Sequence, residues 1–210
     1  MSSVYLPSPE ELELAHQKFL DHEPRDLFYR AARWLLKETG RGNNALTTAE
    51  VIALFLFVWN GAVYQRRPSK RREHLNALEK LLEKYGESLA SFKDRVICEM
   101  EEADYSTIKG LFMDFANSLG PVGAAKVLHI LAPQFFPLWD NAIARAYGLR
   151  LRHQPRSDAQ SYWKFMRVTQ FQCRELSKKY GSRLPSFFRE NPLKTLDEWN
   201  YAKFTKQWIC

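Results

Sequence analysis

The sequence predicts an all-α protein. Apolar residues recur with the 3.6-residue period of an amphipathic helix, and no segment shows the alternation that is typical of a half-buried strand. Signals for helix starts are frequent, and the chain contains neither internal repeats nor low-complexity tracts. We therefore expect one all-α domain over residues 1–210, built as two lobes with a cleft between them.

The first three helices begin at recognisable signals. Ser8 opens the first helix, followed by a proline and early glutamates, and Pro24 ends it. The second helix follows directly, and its apolar stripe stops at Gly40. Thr47 and Glu50 stand in capping-box register at the start of the third helix, "TTAEVIALFLFVWNGAVYQ". Because this helix is apolar on nearly every side, we expect it at the centre of the fold.

Amphipathic helices are also expected in the remainder of the chain. Their predicted ranges are 73–86, 87–102, 104–117, 159–181 and 192–208. Between the third and fourth of these lies the segment 119–148, "LGPVGAAKVLHILAPQFFPLWDNAIARAYG".

Charge and cysteine usage narrow the class of protein. The formal net charge of +7 favours an acidic partner, with nucleic acid the first candidate and a membrane surface the second. The three cysteines have no CxxC spacing, which indicates a reducing compartment. The N-terminus lacks a signal-peptide pattern, and the longest apolar run, 51–59, is too short to span a bilayer. We expect a cytoplasmic protein without a membrane segment.

The segment 119–148 contains a candidate hairpin and a candidate catalytic carboxylate. Gly120 and Gly123 bracket a turn that opens onto an apolar helix, either an ordinary helix connection or a hairpin whose backbone approaches a phosphate. Asp140, in "WDNAI", is well placed as the N-cap of a further helix. A carboxylate that is fixed in this way can also stabilise positive charge developing on a sugar ring. Capping and catalysis are compatible roles for Asp140.

The strings "LGPVGAAKVLHIL" and "FPLWDNAI" resemble the helix-hairpin-helix DNA glycosylases. The motifs of that family are a hairpin like "LPGVGxxTA" followed by a helix and then "VDTHV", which contains an essential aspartate. The resemblance covers about residues 110–148. It implies that Gly120, Val122 and Gly123 grip the DNA backbone and that Asp140 is the catalytic carboxylate.

The chain departs from this family pattern in two respects. Its stretch from the hairpin glycine to Asp140 is about one helical turn shorter, as expected of a divergent branch. Lyase members carry a nucleophilic lysine two residues after the second hairpin glycine, where this chain has Ala125. The neighbouring Lys126 is turned by about 100° on the helix, and we expect it to face phosphate or solvent. We therefore expect a monofunctional enzyme, unless a shifted turn makes Lys126 a Schiff-base amine.

A base pocket and a DNA-binding surface are the remaining expectations. Trp59, Asn60, Tyr64 and Trp139 are the candidates for holding a flipped base, although the aromatic ones are equally typical of a core. Candidates for phosphate contact are Arg66, Arg67, Lys70, Arg71, Arg72, Lys126, Arg145, Arg150, Arg152 and Arg156. His129 lies on an apolar helix face, which favours a core histidine. No metal-ligand spacing or cofactor motif occurs, so neither a metal nor a cofactor is expected.

The sequence thus favours a DNA N-glycosylase that acts on double-stranded DNA as a monomer. It would hydrolyse the bond between a modified or damaged base and deoxyribose, leaving an abasic site. The resemblance leaves the base open among oxidised purines, alkylated bases, mismatched bases and the modified cytosines of phage DNA, and with it the choice between repair and antiviral defence. The alternative is a helix-hairpin-helix DNA-binding protein without catalysis, in which Asp140 only caps a helix.

Overall fold

The computed structural model describes residues 5–39, 46–61 and 70–210, with side chains from residue 73 onward in the last range. Within these ranges the chain is helical and contains no strand, which confirms the all-α prediction. The α-helices are α1 (Pro9–His22), α2 (Asp26–Glu38), α3 (Thr48–Trp59), α4 (Lys70–Lys93), α5 (Tyr105–Leu131), α6 (Asn141–Ala146), α7 (Pro155–Tyr180), α8 (Ser186–Glu190) and α9 (Pro192–Asn200). A π-helical turn, Tyr201–Thr205, follows α9. None of the described helices is both long enough and apolar enough to cross a membrane.

Local capping explains where several helices begin. The Ser8 hydroxyl accepts a hydrogen bond from the backbone N–H of Glu11 at 3.2 Å, and the Glu11 carboxylate accepts one from the N–H of Ser8 at 2.8 Å. Thr47 and Glu50 form the same reciprocal pair at the start of α3, as predicted. Each box satisfies backbone donors that the first turn of a helix leaves free.

The predicted division of residues 73–102 into two helices is wrong. One helix, α4, runs from Lys70 to Lys93, and two short 3₁₀ turns follow it, Ile97–Glu99 and Glu102–Asp104. Gly86 lies inside α4 without ending it. A single glycine costs a helix interior only about 1 kcal/mol, which the packing of a long amphipathic helix can offset.

Helix α5 contains a break at Gly120. This residue has φ 74° and ψ 164°, whereas the helix continues before it and again from Pro121. Such a conformation is essentially confined to glycine, because a Cβ atom would clash with the backbone. Gly120 and Pro121 therefore set the direction in which residues 121–131 leave the break.

The buried apolar side chains form two clusters. The larger one contains residues of α3, α5, α6 and α7, with Ile52, Phe112 and Trp139 among its least exposed members. The smaller one joins α1 to the C-terminal elements through residues such as Leu12 and Trp199. Helix α3 contributes to the larger cluster, but it does not lie at the centre of the fold as expected, because its Leu54 is 56% exposed.

Candidate active site

Asp140 is the N-cap of α6, as predicted, and its side chain is held from two directions. Its Oδ1 accepts hydrogen bonds from the backbone N–H groups of Ala142 and Ile143, both at 2.8 Å. Its Oδ2 accepts a third, at 2.8 Å, from the hydroxyl of Thr205 near the C-terminus. These three bonds fix the orientation of the carboxylate.

The π-helical turn after α9 brings Thr205 to Asp140. A π turn is wider than an α turn and is frequently found at functional sites. Here it presents both Tyr201 and Thr205 to the cavity that Asp140 lines. The C-terminal part of the chain thus completes the surroundings of a residue in the middle of the sequence.

The cavity beside Asp140 has a volume of about 350 Å³, within the range of small-molecule pockets. Side chains of α1, α3, α5, α6, α9 and their connections form its walls. The apolar and aromatic side chains are those of Phe19, Trp59, Leu138, Trp139, Ile143 and Tyr201. The polar and charged side chains are those of Glu23, Arg25, Lys126, Asp140, Asp197, Thr205 and Lys206. The walls therefore combine aromatic faces with both signs of charge.

Lys126 lies in this cavity, contrary to the expectation that it faces phosphate or solvent. Its Nζ donates a hydrogen bond to the backbone carbonyl of Trp59. Burial and, to a smaller extent, the positive charge of Arg25 lower the pKa of Lys126 to about 8. The family's lysine position, Ala125, is instead fully buried in the core. The break at Gly120 sets the direction in which the side chains of the following residues point, so Lys126 and not Ala125 lines the cavity.

Two predicted pocket residues, Trp59 and Trp139, do line the cavity, but both are chiefly core residues. Trp59 is 9% exposed and its indole N–H donates to the Arg25 carbonyl at 2.7 Å. Trp139 is 1% exposed and its indole N–H donates to the Pro121 carbonyl at 3.2 Å. Only small parts of both rings face the cavity, so they shape its walls.

Asn60 lies at the end of α3 and is not among the residues that line the cavity. A Cβ atom on Gly123 would come within 3.3 Å of its Nδ2 and within 3.0 Å of the Leu119 Cβ. The missing side chain of Gly123 therefore allows α3 and α5 to approach each other. Tyr64, the fourth predicted pocket residue, lies outside the described residues.

The cavity also contains residues that the sequence reasoning missed, first among them Asp197. Asp197 lies on α9 and is 8% exposed. Burial raises the pKa of this carboxyl to about 7. A signal was present in the sequence, because Leu193, Leu196, Asp197 and Asn200 have the i, i+3, i+4, i+7 spacing of a core-facing stripe.

Glu23, Arg25 and Tyr201 form a second missed group in the cavity wall. The Arg25 guanidinium donates to both Glu23 oxygens at 2.6 and 2.5 Å and to the Tyr201 hydroxyl at 2.7 Å, and that hydroxyl donates to Glu23 at 2.8 Å. Burial alone would raise the pKa of Glu23, but these bonds lower it to about 2. The group is therefore a fixed ion pair that joins the α1–α2 connection to the C-terminal turn.

His129 is a fully buried core residue, as expected from its apolar helix face. Its Nδ1–H donates to the Phe136 carbonyl at 2.8 Å, and its Nε2 accepts from the Tyr29 hydroxyl at 3.1 Å. Burial lowers the pKa of His129 to about 3. Both ring nitrogens have partners, so the histidine has a structural role.

Four of the arginines that were predicted to contact DNA lie among the described residues. Arg145, Arg150, Arg152 and Arg156 are exposed, and within the described ranges none of them forms an ion pair with a carboxylate. Arg145 and Arg150 border a shallow depression together with Asn141, the residue after Asp140. Arg66 and Arg67 lie outside the described residues, as do the side chains of Lys70, Arg71 and Arg72.

The arrangement unites a fixed carboxylate, a half-buried amine and a second carboxyl group in one cavity. Among the described residues, no group of three or more His, Cys, Asp or Glu side chains is arranged to hold a metal ion. No protein-family model, curated protein or solved structure matches this chain significantly.

Proposed function

We propose that this protein is a DNA N-glycosylase that hydrolyses the bond between a modified base and deoxyribose. The observation that carries the proposal is the Asp140 carboxylate, held by three hydrogen bonds in a cavity with aromatic walls. A fixed anion in the wall of a partly enclosed cavity is suited to stabilise an oxocarbenium-like sugar. The cavity volume of about 350 Å³ is suited to a single flipped nucleobase.

The proposed reaction takes place on a nucleotide that has left the duplex. The sugar lies against Asp140, and the base enters between Trp59 and Tyr201. As the N-glycosidic bond breaks, the Asp140 carboxylate stabilises the positive charge on the sugar and orients the attacking water. The products are the free base and an abasic site.

Exposed basic residues that follow Asp140 in the chain support double-stranded DNA as the partner. The exposed arginines at 145, 150, 152 and 156 are free to neutralise phosphates. The break at Gly120 and the following Val122 and Gly123 correspond to the proposed phosphate-gripping hairpin. We extend the proposed footprint to Arg66, Arg67, Arg71 and Arg72, and we propose that the protein acts as a monomer in the cytoplasm.

The proposed two-lobed architecture rests on the two apolar clusters. The larger cluster contains the cavity residues Trp59, Trp139 and Ile143. The smaller cluster contains residues of α9 and of the π-helical turn. The cavity is lined from both sides. This supports a cleft between lobes, into which the flipped nucleotide enters.

The position of Lys126 favours a second candidate, a glycosylase that also has lyase activity. With a pKa of about 8, roughly a tenth of the Lys126 amines are uncharged at pH 7 and can attack a sugar carbon. Borohydride would then trap a protein–DNA adduct that disappears in Lys126→Met. The hydrolytic enzyme forms no such adduct.

The test of the proposed function is the variant Asp140→Asn. Asparagine caps a helix about as well as aspartate and retains one oxygen for the two backbone donors, while the Thr205 hydroxyl can accept a hydrogen bond from its amide group, so we expect the melting temperature to change little. The lost negative charge should slow base release by on the order of a hundredfold or more. The measurement is single-turnover release from duplexes that carry 8-oxoguanine, 7-methylguanine, hypoxanthine or 5-hydroxymethylcytosine.

Asp114→Asn is the matched control, because Asp114 pairs with Lys84 and does not line the cavity. It removes the same charge and should leave the rate unchanged. Wild-type rates for Asp140→Asn would disprove the catalytic assignment. A wild-type protein that binds these duplexes tightly but releases no base favours the alternative, a DNA-binding protein in which Asp140 is only a cap.

A further inference from the structure

The two aspartates of the cavity have opposite surroundings. Asp140 accepts three hydrogen bonds, whereas among the described residues no donor is bonded to the carboxyl oxygens of Asp197. Asp197 is nevertheless buried to 8% exposure in the wall of the same cavity. A buried carboxylate without donors is unfavourable, so this position favours the neutral acid.

Charged and titratable groups face Asp197 from several elements. The negative charges of Asp140 and Glu198 favour its protonation, and the positive charges of Lys194 and Lys126 oppose it. The phenol groups of Tyr29 and Tyr201 are also close enough to interact with it. Burial is the largest influence and raises the pKa of Asp197 to about 7. The opposing lysines have other partners, which are Asp26 and Glu198 for Lys194 and the Trp59 carbonyl for Lys126.

Two carboxyl groups with different surroundings thus flank one cavity, and enzymes that hydrolyse glycosidic bonds commonly use such a pair, with one group as the acid. We propose that Asp197 is the general acid of this site and donates its proton to the departing base. This inference rests on the proposed glycosylase function and adds a second catalytic residue to it.

In the proposed step, cleavage of the glycosidic bond is accompanied by a proton transfer from Asp197. As the bond between C1′ and the base nitrogen breaks, its electron pair moves to the base, and the Asp197 carboxyl transfers its proton to a nitrogen or oxygen of that base. Water then adds to C1′ and releases one proton, which returns to the Asp197 carboxylate once the base has left. The sum is one nucleotide residue and one water converted to a free base and an abasic site.

The proposal also narrows the substrate class. A neutral purine or pyrimidine leaves as an anion unless it is protonated, so a general acid accelerates its departure. A cationic base such as 7-methylguanine leaves as a neutral molecule and needs no proton. The cavity should therefore serve neutral modified bases that present a nitrogen or oxygen acceptor toward Asp197.

The experiment compares wild type, Asp197→Asn and Asp197→Glu in single-turnover base release between pH 5 and 9. The duplexes carry 8-oxoguanine, hypoxanthine or 5-hydroxymethylcytosine as neutral bases, and 7-methylguanine as the cationic one. Since the asparagine amide replaces a neutral carboxyl by a neutral group of the same shape, the variant should fold. We expect it to release neutral bases about a hundredfold more slowly and 7-methylguanine at the wild-type rate.

The pH dependence of base release tests the role of Asp197 independently. The wild-type rate should fall as the pH rises above about 7, where Asp197 ionises, and this fall should be absent in Asp197→Asn and restored in Asp197→Glu. A Lys126 amine acting as nucleophile would give the opposite slope, with a rate that rises with pH. The profile alone decides the question if 7-methylguanine proves not to be a substrate.

Two results would overturn the inference while leaving the glycosylase intact. One is a wild-type rate and pH profile in Asp197→Asn, and the other is equal slowing of all bases with an unchanged profile, which indicates a positioning role. Release of no base by the wild-type protein would overturn the glycosylase function and this inference together.

Discussion

Two lysine side chains approach the indole ring of Trp59 at nearly the same distance, with very different partners. The Nζ of Lys194 lies 5.9 Å from the ring centroid and that of Lys126 lies 6.0 Å from it. Lys194 forms ion pairs with Asp26 at 3.2 Å and Glu198 at 2.7 Å. Lys126 has a backbone carbonyl as its partner and lines the cavity.

The pKa values reflect this difference. Burial alone would lower the pKa of Lys194, but Glu198, Asp197 and Asp26 together raise it. At Lys126, burial prevails and lowers the pKa to about 8. The fold is thus able to satisfy a buried lysine with carboxylates, and it does not do so at Lys126. An ionisable group left unpaired in a cavity lowers stability and is typical of a functional site.

The largest expected effect is that of removing the paired lysine. Lys194→Met removes the buried cation between Glu198 and Asp26, which keep His16 and the exposed Arg30 as partners, and this should lower the free energy of unfolding by about 3 kcal/mol. Urea unfolding at pH 7 measures this change. Adding Glu198→Gln and Asp26→Asn to the variant should recover part of the loss. A loss below about 1 kcal/mol would mean that the ion pairs do not offset their own desolvation.

Lys126→Met should have the opposite effect and raise the free energy of unfolding. The wild-type protein bears the cost of a charged, half-buried amine below pH 8, so the variant should gain about 1–2 kcal/mol there, after the lost hydrogen bond is counted. Between pH 8 and about 10.5 the folded protein releases this proton before the unfolded chain does, and the gain should disappear. Unfolding in urea across this pH range measures the effect, and a loss at pH 7 would contradict the comparison.

The smallest expected effect concerns the break that directs Lys126 into the cavity. Gly120→Ala meets no atom within 4 Å, yet its φ of 74° is unfavourable for alanine, so we expect a loss of about 1 kcal/mol. Gly86→Ala is the matched control, because it also meets open space but lies within α4. It should gain about 0.5–1 kcal/mol. Equal effects of the two substitutions in thermal unfolding would argue against strain at Gly120.

The sequence predicted the features that depend on neighbours along the chain. The capping box of Thr47 and Glu50, the N-cap role of Asp140 and the core position of His129 were all predicted. Each depends on residues within about two turns of a helix, where spacing alone determines which groups meet. The predicted helix boundary within 73–102 failed because one glycine is a weak signal against the packing of a whole helix.

The set of residues that line the cavity is determined by the tertiary structure. Asp197, Tyr201 and Thr205 reach Asp140 from the opposite end of the chain, and no spacing rule relates them to it. Lys126 enters the cavity because the backbone at Gly120 resets the helix phase, which a count of residues does not reveal. The sequence by itself determined the capped helix starts and the capped aspartate, since short-range hydrogen bonds specify them. Only the tertiary structure determined which ionisable groups share the cavity with Asp140 and what their pKa values are, because long-range packing removes these groups together from water.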